Sequence, residues 1–264
     1  METSTTPPAP WLALAEPIRA AAELGALFAS LPALSNAPRG DGHPVLVLPG
    51  YAASDASTWV LREFLSGIGY RAFPWGLGRN QGGLKGDLGS RLAQRLDDIA
   101  QQTDSPVSLV GWSLGGVYAR VLAKRFPTKV RQVITLGSPF AGSPTATSLY
   151  RVYQQTGHPR AETIRTAPRR AFAGEPLPGI PSTAIYSRSD GVVAWQIARE
   201  QPGPLSENIE VVSSHVGLGI HPAVLYAVAD RLAEDPNHWQ AFSRAGWRHL
   251  VYPTPDPTPD AAQG

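Results

Sequence analysis

Six consecutive residues, Gly111-Trp112-Ser113-Leu114-Gly115-Gly116, carry the pattern Gly-x-Ser-x-Gly. In that pattern a serine hydroxyl is presented on a sharp turn between a strand and a helix, where it can act as a nucleophile. The hydroxyl alone is too weak. It needs a base to take its proton, a third group to orient the base, and donors for the negative oxygen that forms. The flanks suit the turn. Pro106-Val107-Ser108-Leu109-Val110 reads as a short buried strand, and Val117 to Phe126 reads as helix stopped at Pro127. A Cβ at either outer glycine would press on the neighbouring strand or helix, and Gly116 adds a third small residue where the helix begins.

The other parts are expected downstream in the order Ser, acid, His. In Ala184-Ile185-Tyr186-Ser187-Arg188-Ser189-Asp190-Gly191 the acid is Asp190, just past an apolar strand. Asp97, Asp98 and Asp104 precede the serine and break that order. The base is assigned to His215, in the loop Val211-Val212-Ser213-Ser214-His215-Val216-Gly217-Leu218-Gly219. His221 is the competitor, placed before Pro222 at the start of a helix. Two backbone N–H groups must meet the oxyanion. One is Leu114, after the serine; the other is Tyr51, in Leu48-Pro49-Gly50-Tyr51-Ala52. Trp112, Trp75 and Val192 are assigned to substrate binding, as bulky apolar residues near the mouth. Trp75-Gly76-Leu77-Gly78-Arg79-Asn80 is expected at the rim.

Positioning these groups takes alternating strands and helices, the pattern of a mostly parallel sheet. Strands are expected over His43–Leu48, Tyr70–Trp75, Pro106–Val110, Val130–Leu136, Ser182–Tyr186 and Asn208–Val212. Helices are expected over Ser57–Ile68, through Leu88, Leu92, Leu96 and Ile99, after the serine, and over Ala223–Leu232 with Ala223, Val224, Ala227 and Leu232 inward. Ligands in such sheets bind beyond the carboxyl ends of the strands. The stretch 142–181 is long for a connection. It reads either as a small cap with a helix over Thr145–Gln155, Leu149, Val152 and Tyr153 inward, or as a solvated surface excursion.

The chain has 264 residues, enough for one α/β domain with a large core. A formal net charge of +2 gives no reason to expect nucleic acid as a partner. With no cysteine there is no disulfide, thiolate metal site or cysteine nucleophile. That composition fits a cytoplasmic location, with secretion or a periplasmic location as the alternative. No run approaches transmembrane length. The apolar run 20–29 is broken by Glu23. It reads as an amphipathic helix within an N-terminal extension, 1–40, rather than as a signal peptide. The main domain is expected over 41–252, and the Pro-rich repeat from 253 to 264 as a disordered tail.

With those parts assembled, the chain resembles serine esterases and lipases of the α/β-hydrolase superfamily. Gly-Trp-Ser-Leu-Gly-Gly resembles the elbow, and Val-Leu-Val-Leu-Pro-Gly-Tyr the early strand and oxyanion loop. Ile134-Thr135-Leu136-Gly137-Ser138-Pro139 is similar to a strand of bacterial triacylglycerol lipases and related esterases. The resemblance covers about 43–234 and departs at Pro49-Gly50 and Trp112, where many lipases carry His-Gly and His. It implies an α/β-hydrolase fold and hydrolysis of a small-molecule or lipid carboxylic ester, with no cofactor and no metal. Serine in the elbow disfavours relatives that use an aspartate nucleophile. Acyl transfer or thioester hydrolysis with the same residues, or a non-catalytic binding module on the same fold, are the rival readings.

Overall fold

The structure is a computed structural model that describes residues 5–82, 87–157, 160 and 174–254. The described elements are, in chain order, α1 Pro10–Leu34, β1 Pro44–Leu48, α2 Trp59–Gly67, β2 Arg71–Pro74, α3 Leu88–Thr103, β3 Val107–Trp112 and α4 Leu114–Arg125. There follow β4 Val130–Leu136, α5 Ser148–Gln155, β5 Ser182–Tyr186, β6 Ser206–Glu210 and α6 Pro222–Leu232. The strands form one six-stranded sheet in the order β2-β1-β3-β4-β5-β6, and every neighbouring pair is parallel.

Buried parallel strands read as continuous apolar runs because both faces are covered. In β1 alternate side chains serve opposite layers. Val45 and Val47 pack with Leu61 and Leu65 of α2 and with Val224, Ala227 and Leu232 of α6. Leu46 and Leu48 pack with Leu92, Leu96 and Ile99 of α3 and with Tyr118 and Leu122 of α4. The carboxyl ends of the central strands lie level: Trp112 is opposite Leu136, and Leu136 is opposite Ile185. Loops leaving β3, β4, β5 and β6 therefore meet at one edge.

The strand expected over Asn208–Val212 lies two residues earlier, at Ser206–Glu210. As an edge strand, β6 is paired on one side only, and its polar start is held by the Thr183 hydroxyl, which donates to Glu207 Oε1 at 2.9 Å. Val212 is outside the strand and exposed. Within 142–181, α5 starts at Ser148 rather than Thr145, and Val152 faces solvent instead of the interior. Thr147 bridges Val193, which pins the start of α5 to the loop after β5. The rest of the expected cap, at 158–159 and 161–173, and the expected tail from 255 onward lie outside the described residues.

Helix α1 precedes the alternation and docks in an unusual orientation. Its Trp11, Leu14, Ile18 and Phe28 are exposed, while Glu16 is buried with Leu27 and Leu34. Among the described residues no helix is long and apolar enough to cross a membrane.

Candidate active site

Ser113 is the residue between the last of β3 and the first of α4, with φ 53° and ψ −123°. A non-glycine residue there carries backbone strain on the order of 1–3 kcal/mol, held only because the surroundings over-determine it. Its N–H donates to Leu136 O at 2.8 Å, which locks the turn to the end of β4. The glycines after it are dictated by space. A Cβ on Gly115 would lie 2.2 Å from Leu48 O, and one on Gly116 would lie 2.0 Å from Ser138 Oγ. The α4 N-terminus, with its unsatisfied amides and positive dipole end, points at the serine.

Asp190 and His215 are brought together: His215 Nδ1 lies 2.6 Å from Asp190 Oδ2. The other carboxylate oxygen, Oδ1, accepts the N–H groups of Val192 and Val193, each at 2.7 Å. Asp190 is thereby fixed in place, and an Nδ1–H donated to it leaves Nε2 of His215 as the acceptor. Both side chains are almost fully buried. Burial alone would lower the His215 pKa. The charge and hydrogen bond of Asp190, with a further contribution from the charge of Glu16, outweigh it and raise the pKa above its ordinary 6.5. Gly137, after β4, sits beneath the pair. A Cβ there would come 3.0 Å from Asp190 Oδ2 and 3.2 Å from His215 Nδ1. The competitor His221 is the N-cap of α6, its Nδ1 accepting from Ala223 N at 3.2 Å.

The loop after β1 passes beside the serine, for a Cβ on Gly50 would lie 3.2 Å from Ser113 Cβ. The backbone of Tyr51 follows directly, and Leu114 supplies the first amide of α4. The Tyr51 hydroxyl is 3.0 Å from that of Tyr153, so α5 reaches this loop. Sequence reasoning missed what braces it. Asn80 is fully buried, its side-chain amide donates to Pro49 O at 2.9 Å, and its backbone carbonyl accepts from Ala52 N at 2.7 Å. The segment containing Asn80 was expected to line the rim; its asparagine is an internal staple.

The three residues assigned to substrate are separated by the structure. Trp112 is part-buried, and its indole N–H donates to His215 O at 3.1 Å, so it supports the histidine loop. Val192 is part-buried beside the acid. Trp75 is not at the mouth: it is 1% exposed, packs with Leu48 and Leu92, and donates its indole N–H to Gly78 O. An aromatic residue at a strand end reads the same in sequence whether it faces the rim or the core. Among the described residues no cluster of His, Asp and Glu side chains has the arrangement of a metal site.

Residues 91–213, a little under half of the chain, match the family model described as a PGAP1-like alpha/beta domain. The matched segment includes Ser113 and Asp190 and stops just short of His215. A pimeloyl-(acyl-carrier protein) methyl ester esterase of Neisseria meningitidis serogroup B is 47% identical over 47 residues, 18% of this chain and 18% of that protein. The match thus spans less than a fifth of the relative's length. Among solved structures, Aspergillus fumigatus lipase B has a TM-score of 0.50 at 18% identity, over 75% of this chain and 55% of that one. Bacillus licheniformis lipase BlEst2 has a TM-score of 0.50 at 20% identity, over 75% and 94%. A pyrethroid hydrolase from Sphingobium faniae JZ-2 has a TM-score of 0.52 at 19% identity, over 75% and 99%. At these identities the likeness is one of fold.

Proposed function

We propose that this chain, which has the α/β-hydrolase fold, is a serine hydrolase that cleaves carboxylic esters through an acyl-enzyme. The observation that carries the reading is the 2.6 Å hydrogen bond between His215 Nδ1 and Asp190 Oδ2, at the same sheet edge as the strained turn of Ser113. Ser113 Oγ attacks the ester carbonyl carbon and gives its proton to His215 Nε2. Asp190 holds the imidazole tautomer and stabilises the imidazolium without taking the proton. The N–H groups of Leu114 and Tyr51 receive the oxyanion. Collapse of the tetrahedral intermediate breaks the C–O bond, and the departing alcohol takes the proton from His215. Water then attacks the acyl-enzyme by the same route and releases the acid. The names of the similar proteins, lipase, esterase and pyrethroid hydrolase, agree with this reaction class. Trp112 and Val192 favour an apolar acyl group.

Ser113→Ala and His215→Ala are each expected to lower turnover of a nitrophenyl ester by several orders of magnitude, leaving only what donors and binding supply. A near-normal rate in either folded variant contradicts the assignment. Adding alcohol or thiol acceptors to the same assay separates hydrolysis from acyl transfer.

A further inference from the structure

We propose that Glu16 and Glu23 of α1 are positioning residues that hold the acid and histidine loops in working register, an inference that rests on the hydrolase reading. Glu16 Oε1 accepts from Gly191 N at 2.8 Å and from His215 N at 2.9 Å, and its Oε2 accepts from Val216 N at 2.9 Å. One buried carboxylate thus binds the residue after Asp190 and the backbone of His215 itself. Glu23 accepts from Ser214 N and from Ser214 Oγ, both at 2.6 Å. Between them Arg19 donates to Ser189 Oγ at 2.7 Å and to Ser189 O, on the other side of Asp190. Positions 16, 19 and 23 fall on one helix face. That face meets the two loops after β5 and β6.

The loops are shaped to receive the helix. A Cβ on Gly191 would lie 2.5 Å from the Leu12 backbone carbon, and one on Gly217 would lie 1.4 Å from Glu23 Oε2. Apolar packing does not account for the contact at this end, since Trp11, Leu14 and Ile18 face outward. A carboxylate is the side chain required. Its two oxygens take three N–H donors as charge-assisted bonds, whereas a glutamine would turn an NH2 group toward one of them. The groups that face the His215 loop are Asp190 from the β5 loop, Glu16 and Glu23 from α1, Arg19 through Ser189, and His221 at the start of α6. Of these Glu16 adds negative charge near the imidazole and favours its protonated form.

The test compares the wild-type chain with Glu16→Gln, Glu23→Gln and Gly217→Ala, and with Ile18→Ser on the outer face of α1 as the control. Each is checked for folding by circular dichroism and then assayed for nitrophenyl-ester kcat and KM across pH. The expected result for E16Q is a kcat lower by roughly 10- to 100-fold, the scale of a small misplacement of reacting groups. KM should change little, and the acidic limb of kcat/KM should move to lower pH as the imidazole loses a stabilising charge. The kcat loss reads the positioning of the loops, and the limb reads the charge of Glu16 at the imidazole. G217A displaces Glu23 by a second route and should lower kcat even if E16Q does not fold. Folded E16Q with wild-type kcat and an unmoved limb, or folded G217A with wild-type kcat, overturns the inference while the hydrolase reading stands. A wild-type chain that neither turns over esters nor reacts with a fluorophosphonate overturns that reading and this inference with it.

Discussion

Ser113 lies outside the favoured backbone regions, and the cost on the order of 1–3 kcal/mol is borne by its neighbours. Its amide is tied to β4, and the glycines behind it admit Leu48 and Ser138. His215 is the second residue set by its surroundings. Asp190 and Glu16 raise its pKa against the effect of burial. A base must be neutral to accept a proton, so kcat/KM should fall on acidification through a midpoint above 6.5. A pH–rate profile checks this, and a midpoint below 6.5 contradicts the account of the charges. The placement of Ser113 on a strand–helix turn and of Asp190 beside His215 was readable because each depends on a short stretch of sequence: a motif, an acid after one strand, a histidine after the next. Trp75 was not, because the sequence around it carries no sign of which way the indole turns.

The elements form where buried apolar runs demand them. β4 and β5 have the bounds expected from Val130–Leu136 and Ser182–Tyr186, since interior parallel strands are apolar along most of their length. β6 was misplaced because an edge strand keeps a polar start and the apolar run extends past its end. The turn at Ser113 is a tight joint between β3 and α4. Gly116→Ala puts a Cβ 2.0 Å from Ser138 Oγ, and α4 must then move away from β4. Overpacking of this kind costs about 1–3 kcal/mol. The expected outcome is a lower melting temperature together with lost turnover, because the same shift displaces the Leu114 amide. A G116A variant with the wild-type melting temperature contradicts this packing.

Across the chain, the parallel sheet gathers four loop ends on one edge, and α1 adds a support from the N-terminal side. The sheet's contribution was legible as strand–helix alternation. That of α1 was not. Its contacts join Glu16 to residues 175 to 200 positions away, a separation that leaves no local pattern. What the sequence does contain is two carboxylates seven residues apart in α1, of which Glu23 was read only as the interruption of an apolar run. The central claim is that this assembly activates Ser113. Mass spectrometry of the folded chain after reaction with a fluorophosphonate tests it most directly. The account predicts one covalent adduct, on Ser113, absent from the denatured chain and strongly slowed in His215→Ala; an unlabelled Ser113 in the folded wild-type chain would contradict it.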